Sequence, residues 1–249
     1  MLWRIFKYLK HLCYRRHRKG HGIHSPYLFD FVNGVVFNAH KREVPPEVLK
    51  EHRRLKKDSS LAGGEGRTVA SFVRHSSVPE KQGKLLYRIA RWFAPDMLVE
   101  LGTGLGISTL YLATGSPGTS LHSIEGNTDR AAFAAQLVSR NMLGPVSIHW
   151  GEMEEKLDEI LPLLPGKFLA YVDGNHHYEP TMKYLKSLIG RAGEEAIIVM
   201  DDIYWSREMQ RAWKEVISWP EVRVSIDLFH MGVLLLRKDL QTAHLKIKF

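Results

Sequence analysis

Residues 97–108, Met-Leu-Val-Glu-Leu-Gly-Thr-Gly-Leu-Gly-Ile-Ser, constrain the fold more than any other stretch of the chain. The apolar run Met97–Val99 ends in Glu100, glycines follow at 102, 104 and 106, and a helical pattern begins after them. Such a run reads as a buried parallel strand, a tight turn and a helix start. Glycine adopts backbone angles closed to other residues and lets the main chain approach a ligand. The spacing is G-x-G-x-G, whereas the dinucleotide fingerprint G-x-G-x-x-G needs a small residue at 107, where Ile107 stands. An acid two residues before the first glycine suits a ligand with an amino group better than a pyrophosphate. An ordinary glycine-rich turn is the competing reading of the loop taken alone.

Ser120–Glu125 is a second short apolar run ending in an acid, 19 residues after Gly106. In this architecture a carboxylate at the tip of the next strand holds a ribose diol. Glu125 and the glycine loop together point to an adenosine ligand.

The pattern stays regular from about residue 79. A helix with Leu85, Leu86, Ile89, Trp92 and Phe93 on one face precedes the first strand. Helix 106–114, strand 120–125, helix 128–142, strand 146–150, helix 153–161 and strand 168–173 follow. Next come helix 179–189 with Gly190 as C-cap, strand 196–201 and helix 206–218. Val222–Phe229 and Gly232–Arg237 predict an antiparallel hairpin turning at His230-Met231. The expectation is an α/β fold: a doubly wound, Rossmann-like seven-stranded sheet with a C-terminal antiparallel hairpin, binding ligands at the carboxyl ends of its strands.

Residues 1–75 read as a basic helical arm or cap, set before a domain spanning 76–249. Leu2, Ile5, Phe6, Leu9, Leu12 and Cys13 recur at helical spacing with Arg4, Lys7, Lys10 and His11 between them, a basic amphipathic helix. Residues 1–24 hold seven of the 35 Lys and Arg and no acid. The remaining 28 basic residues face 27 acids, so the body of the chain is near neutral. The arm can lie on an anionic membrane surface, touch nucleic acid or dock on the body of the fold. His21–Pro26 reads as a turn leading into the apolar stretch Tyr27–Phe37, Pro45–Lys57 as a short basic helix and Leu61–Arg67 as a link. One cysteine, Cys13, leaves no internal disulfide framework, and the amino terminus does not read as a signal peptide, which together point to the cytoplasm, with a peripheral membrane location open through the arm.

Three carboxylates fall at strand ends: Asp173 after the fourth strand, Asp201 and Asp202 after the fifth. Hard divalent cations take oxygen ligands of this kind, so the set predicts a metal site, Mg²⁺ or Ca²⁺. Capping of the following turn by Asp202 is the plainer alternative. His176, three residues past Asp173, is placed to take a proton from a substrate hydroxyl, or else orients Asp173. His122, His149 and His230 read as structural. Cys13 lacks the partners of a nucleophile, and no serine sits in a G-x-S-x-G elbow.

With these residues in view, the chain resembles class I S-adenosylmethionine (SAM)-dependent methyltransferases, and among them the cation-dependent O-methyltransferases typified by the catechol and caffeoyl-CoA enzymes. The resemblance covers about residues 77–237 and extends to an uncharacterised bacterial branch through His21–Pro26 and Asp-Asp-Ile-Tyr-Trp-Ser (201–206). It implies a cofactor site of Glu100, Gly102, Thr103, Gly104, Gly106, Ser108, Glu125, Gly151, Glu152 and Asp173, with Gly151 to Glu154 bordering the adenine. It also implies metal ligands Asp173, Asp201 and Asp202 and a small hydroxylated acceptor, with Tyr204 and Trp205 either in the acceptor wall or packed over the sheet edge. Two positions depart from the family: Asp202 replaces the usual asparagine, and His176 replaces the catalytic lysine. Nucleic-acid methylation is the first rival, opposed by the neutral body and by Asp-Gly-Asn-His after the fourth strand where Asp/Asn-Pro-Pro-Tyr/Phe is expected. A membrane-surface protein that retains the fold is the second, and a homodimer is compatible with either.

Overall fold

The structure, a computed structural model, describes residues 2–12, 22–62, 66–193 and 195–249. Cys13, Arg15, Arg16, Arg18, Lys19 and His21 lie outside them. The strands are β1 (Met97–Leu101), β2 (Ser120–Glu125), β3 (Val146–Trp150), β4 (Lys167–Val172), β5 (Glu195–Asp201), β6 (Val224–Asp227), β7 (Met231–Leu235) and β8 (Ala243–Lys246). β3-β2-β1 lie side by side in that order, as do β4-β5-β7-β6-β8. β7 runs antiparallel to both β5 and β6, while β1 with β2, β2 with β3, β4 with β5 and β6 with β8 are parallel. The doubly wound α/β expectation is met, with eight strands in place of seven. The chain divides into two compact units, Arg42–Leu163 and Met1–Lys41 with Leu164–Phe249.

Arg42–Leu163 carries β1 to β3 and, among the described residues, six α-helices. In chain order the chain's first helices are α1 (Leu2–Leu12), α2 (Pro26–Asp30), α3 (Pro46–Leu55), α4 (Val69–His75) and α5 (Glu80–Phe93). They are followed by α6 (Ile107–Gly115), α7 (Thr128–Arg140) and α8 (Met153–Ile160). Leu98, Val99, Leu101, Leu105, Leu121 and Ile124 have no contact with solvent. α6 has no exposed polar face and is buried from Ile107 to Ala113, its Ser108 and Thr109 included. Helix α5 approaches α6 closely: a Cβ on Gly83 would stand 2.3 Å from the Tyr111 ring. The Tyr111 hydroxyl meets His52 Nδ1 at 2.8 Å, and burial lowers the His52 pKa to about 4, so this imidazole is neutral. Helix α4 escaped the sequence pattern; Thr68 caps it by accepting from the Ser71 amide.

The other unit carries β4 to β8, α1, α2 with a π-helical continuation over Phe31–Val36, α9 (Tyr178–Arg191) and α10 (Arg207–Val216). Ala196–Met200 of β5 is one buried run, the mark of a strand covered on both faces. The expected hairpin forms, but its loop is Leu228–His230, with Phe229 at φ 72° and its amide bonded to Asp227 Oδ1 at 2.9 Å. Met231 belongs to β7. β8 is the unforeseen strand: its exposed lysine and its short length carry little pattern, and pairing with β6 defines it.

Gly83→Ala should destabilise the chain by about 1–3 kcal/mol, because neither the helix backbone nor the hydrogen-bonded Tyr111 ring can retreat freely. Urea unfolding measures this, and an unchanged midpoint would show that the α5–α6 contact is looser than described.

Candidate functional site

Two groups of predicted residues form at strand tips, one in each unit. In Arg42–Leu163 the turn after β1 holds Gly102, Gly104 and Gly106 at φ 99°, 56° and 84°. Side chains rarely adopt these angles, and at Gly106 a Cβ would also lie 3.3 Å from Ala134 and Leu137. The α6 helix starts directly from this turn, with Gly106 as its N-cap.

Glu100 is fully buried beneath the turn. Its Oε2 accepts hydrogen bonds from Thr109 Oγ1 at 2.5 Å and Ser123 Oγ at 2.6 Å, and Ser108 bonds to the same carboxylate. Thr103 Oγ1 lies 2.5 Å from Ser123 Oγ. The second oxygen, Oε1, is buried and has no partner among the described residues. Desolvation raises the Glu100 pKa to about 7 despite the three hydroxyls, so the site favours a donor that would complete the carboxylate's bonding. A SAM amino group is such a donor.

Glu125 closes the turn from β2. Its Oε2 accepts from the Gly104 amide at 2.8 Å, and its Oε1 accepts from the Asn127 amide at 2.9 Å and Arg130 Nε at 3.0 Å. The carboxylate is thus held at the turn, with Oε2 keeping a lone pair for a ribose hydroxyl. Gly151, at φ 148°, follows β3 and donates its amide to the Glu125 carbonyl at 3.1 Å. Glu152 is exposed at the start of α8. These residues fit a SAM-type ligand: an orphaned buried acceptor, a main chain free of side chains and a fixed acid at the second strand.

In the other unit, Asp173, Asp201 and Asp202 gather at the ends of β4 and β5. The Tyr171 hydroxyl lies 3.2 Å from Asp173 Oδ2 and 3.0 Å from Asp201 Oδ2. One hydroxyl has one proton, so it donates to one carboxylate while the other contact uses a proton carried by an acid. Burial and the Asp202 charge raise the Asp201 pKa, which supplies that proton. Asp202 pairs with Arg4 of α1 at 3.1 Å, and the same guanidinium lies 4.7 Å above the Trp205 ring. His176 Nε2 is 3.5 Å from Asp173 Oδ1, and its ring is 6.4 Å from that of Trp205. Burial lowers the His176 pKa, against the pull of Asp202, which favours the uncharged imidazole.

Asn175, His176 and Asp202 all have positive φ, 65°, 44° and 50°. Left-handed backbone at non-glycine residues is costly and clusters at functional sites. The expected divalent cation is not shown by the arrangement of these acids. Among the described residues no group of three His, Cys, Asp or Glu side chains is disposed to hold a metal. Asp202 is neutralised by Arg4, and Asp173 and Asp201 converge on Tyr171 instead. Tyr204 departs from the acceptor wall as well: it is buried, donates to Asp227 Oδ2 at 2.7 Å and stacks on Phe229. Trp205 is 54% exposed beside His176 and suits that wall. Sequence reasoning missed Tyr171, although its place two residues before Asp173 puts both on one face of β4. Arg4 carried no such signal.

In Glu100→Gln the cost of ionising a buried acid disappears. That acid's share of stability is full below its unfolded pKa near 4.5 and is lost as pH rises through about 7. Ligand-free Glu100→Gln should therefore gain on the parent chain across this window. Urea midpoints at its two ends test it, and a constant difference would remove the buried charge from the account.

Residues 99–203 match the model of a family described as a methyltransferase domain. No curated protein matches the chain. Its fold is that of solved methyltransferases. The SAH-bound Podospora anserina methyltransferase PaMTH1 superposes with a TM-score of 0.64 at 17% identity, covering 88% of this chain and 100% of its own. The Bacillus cereus O-methyltransferase in complex with SAH gives 0.61 at 16% identity, covering 82% and 96%. TomG, the Streptomyces achromogenes O-methyltransferase involved in tomaymycin synthesis and solved with SAM, gives 0.58 at 21% identity, covering 82% and 95%.

Proposed function

We propose that this chain, whose residues 99–203 match the model of a methyltransferase domain, moves the methyl group of SAM onto a hydroxyl oxygen of a small acceptor. The observation that carries the reading is Glu100: a buried carboxylate with one oxygen unpartnered beneath a turn of bare main chain. The glycine turn and the acid cluster both stand at the carboxyl ends of parallel strands, where α/β sheets bind their ligands.

SAM supplies a sulfonium-bound methyl group that is electrophilic without further activation. The protein's part is alignment and proton removal. Glu100 accepts from the amino end of the ligand and Glu125 from the ribose hydroxyls, while Gly151 and Glu152 border the adenine. Thr103 and Ser108 hold this arrangement through their hydroxyls. At the acid cluster, neutral His176 takes the acceptor's hydroxyl proton as general base, and Asp173 fixes the imidazole and stabilises its charged form. Trp205 offers the acceptor a flat apolar face. The positive charge balancing Asp202 comes from Arg4, and no step is assigned to a divalent ion.

Calorimetry should show SAH binding, weakened about 10- to 100-fold in Glu125→Ala, the scale of losing charge-assisted hydrogen bonds. Undiminished affinity would remove Glu125 from the site. In an acceptor screen with labelled SAM, His176→Ala should lower kcat about 100-fold with SAH affinity intact. The same transfer should persist in EDTA. Loss in chelator with recovery in Mg²⁺ would restore the cation to the mechanism.

A further inference from the structure

Helix α1 is packed with its polar side inward. His11 is 7% exposed, with Nε2 3.0 Å from the Ile247 carbonyl and Nδ1 3.6 Å from Asp227. Arg4 reaches Asp202, and the Tyr8 ring meets Phe229 edge-on at 4.9 Å. The opposite side presents Ile5, Phe6 and Leu9, which are 50%, 65% and 56% exposed. An amphipathic helix that docks for stability alone turns its apolar stripe to the core. This one is anchored by hydrogen bonds and an ion pair and shows its stripe to the outside.

The charge beside that stripe is one-sided. A groove of about 650 Å³ is lined by Trp3, Arg207, Gln210, Arg211, Lys214 and Glu215. The two acids of α10 are engaged by α9: Glu208 accepts from the Tyr178 amide at 3.0 Å, and Glu215 accepts from the Tyr178 hydroxyl at 2.5 Å. Arg207, Arg211 and Lys214 are exposed, with Arg211 lying 3.9 Å over the Tyr178 ring. Trp3 lines the groove one helical turn before Phe6, and Lys7 lies over its ring.

We propose that this face docks on an anionic lipid bilayer, with Ile5, Phe6 and Leu9 entering the interface and the α10 cations meeting lipid phosphates. Apolar side chains beside cations are what such a surface binds. A second copy of the chain would set like charge against like, and nucleic acid has no use for three exposed apolar side chains. No helix among the described residues is long and apolar enough to cross a membrane, so the contact lies in the plane of the interface.

The full chain should co-sediment with vesicles of phosphatidylcholine and phosphatidylglycerol, bind vesicles of phosphatidylcholine alone far more weakly, and release as salt rises. Phe6→Ser with Leu9→Ser should cut partitioning at least about tenfold, the scale of withdrawing large apolar side chains from the interface. Arg207→Ser with Lys214→Ser should weaken binding and flatten its salt dependence. Circular dichroism and melting temperature check the fold of both variants independently of any methyltransferase activity, and if the first pair unfolds the second still decides. Absence of vesicle binding overturns the proposal, as does binding that the folded variants leave unchanged. A dimer dissolved by the Phe6/Leu9 pair without vesicle binding would make a second copy the occupant. Tight binding to duplex DNA in place of vesicles would make it nucleic acid.

Discussion

A carboxylate removed from water, Glu100, ties the strand before the glycine turn to the helix after it. Its Oε2 collects hydroxyls from Thr109 on α6 and Ser123 on β2, so strand, neighbouring strand and following helix are fixed by one buried acid. Burying a carboxylate is expensive unless its oxygens are bonded, and only one of these is. The incomplete bonding raises the pKa toward neutrality and leaves an acceptor for a ligand to complete. Stability given up there becomes affinity when a donor arrives.

The acid cluster answers a different electrostatic problem. Three carboxylates cannot stay ionised side by side without compensation. The fold supplies a shared tyrosine hydroxyl, a retained proton and a guanidinium from a helix almost two hundred residues away in sequence. The left-handed backbone at Asn175, His176 and Asp202 is the strain accepted to present these groups together. A neutral imidazole against a carboxylate is the pairing that proton removal from a hydroxyl needs.

Helix α1 links that cluster to the surface of the molecule. Arg4 faces Asp202 while Phe6 and Leu9 face outward, so one short helix both completes the electrostatics of the acids and carries the exposed apolar stripe.

Local chemistry made much of this legible in the sequence. Apolar runs ending in acids, glycines at 102, 104 and 106, and helical periodicity determine the strand, turn and helix alternation, because backbone sterics and burial act over a few residues. Glu100, Glu125, Asp173, Asp201, Asp202 and His176 were readable as strand-tip residues for the same reason. What those tips do with their charge was not readable. Whether three acids hold a metal, share a proton or meet an arginine depends on which distant groups arrive, and Arg4 is 198 positions from Asp202. The inward turn of Tyr204, the pairing of β8 and the outward stripe of α1 were likewise decided only by tertiary packing, since periodicity shows that a helix has an apolar face but not which way the face points.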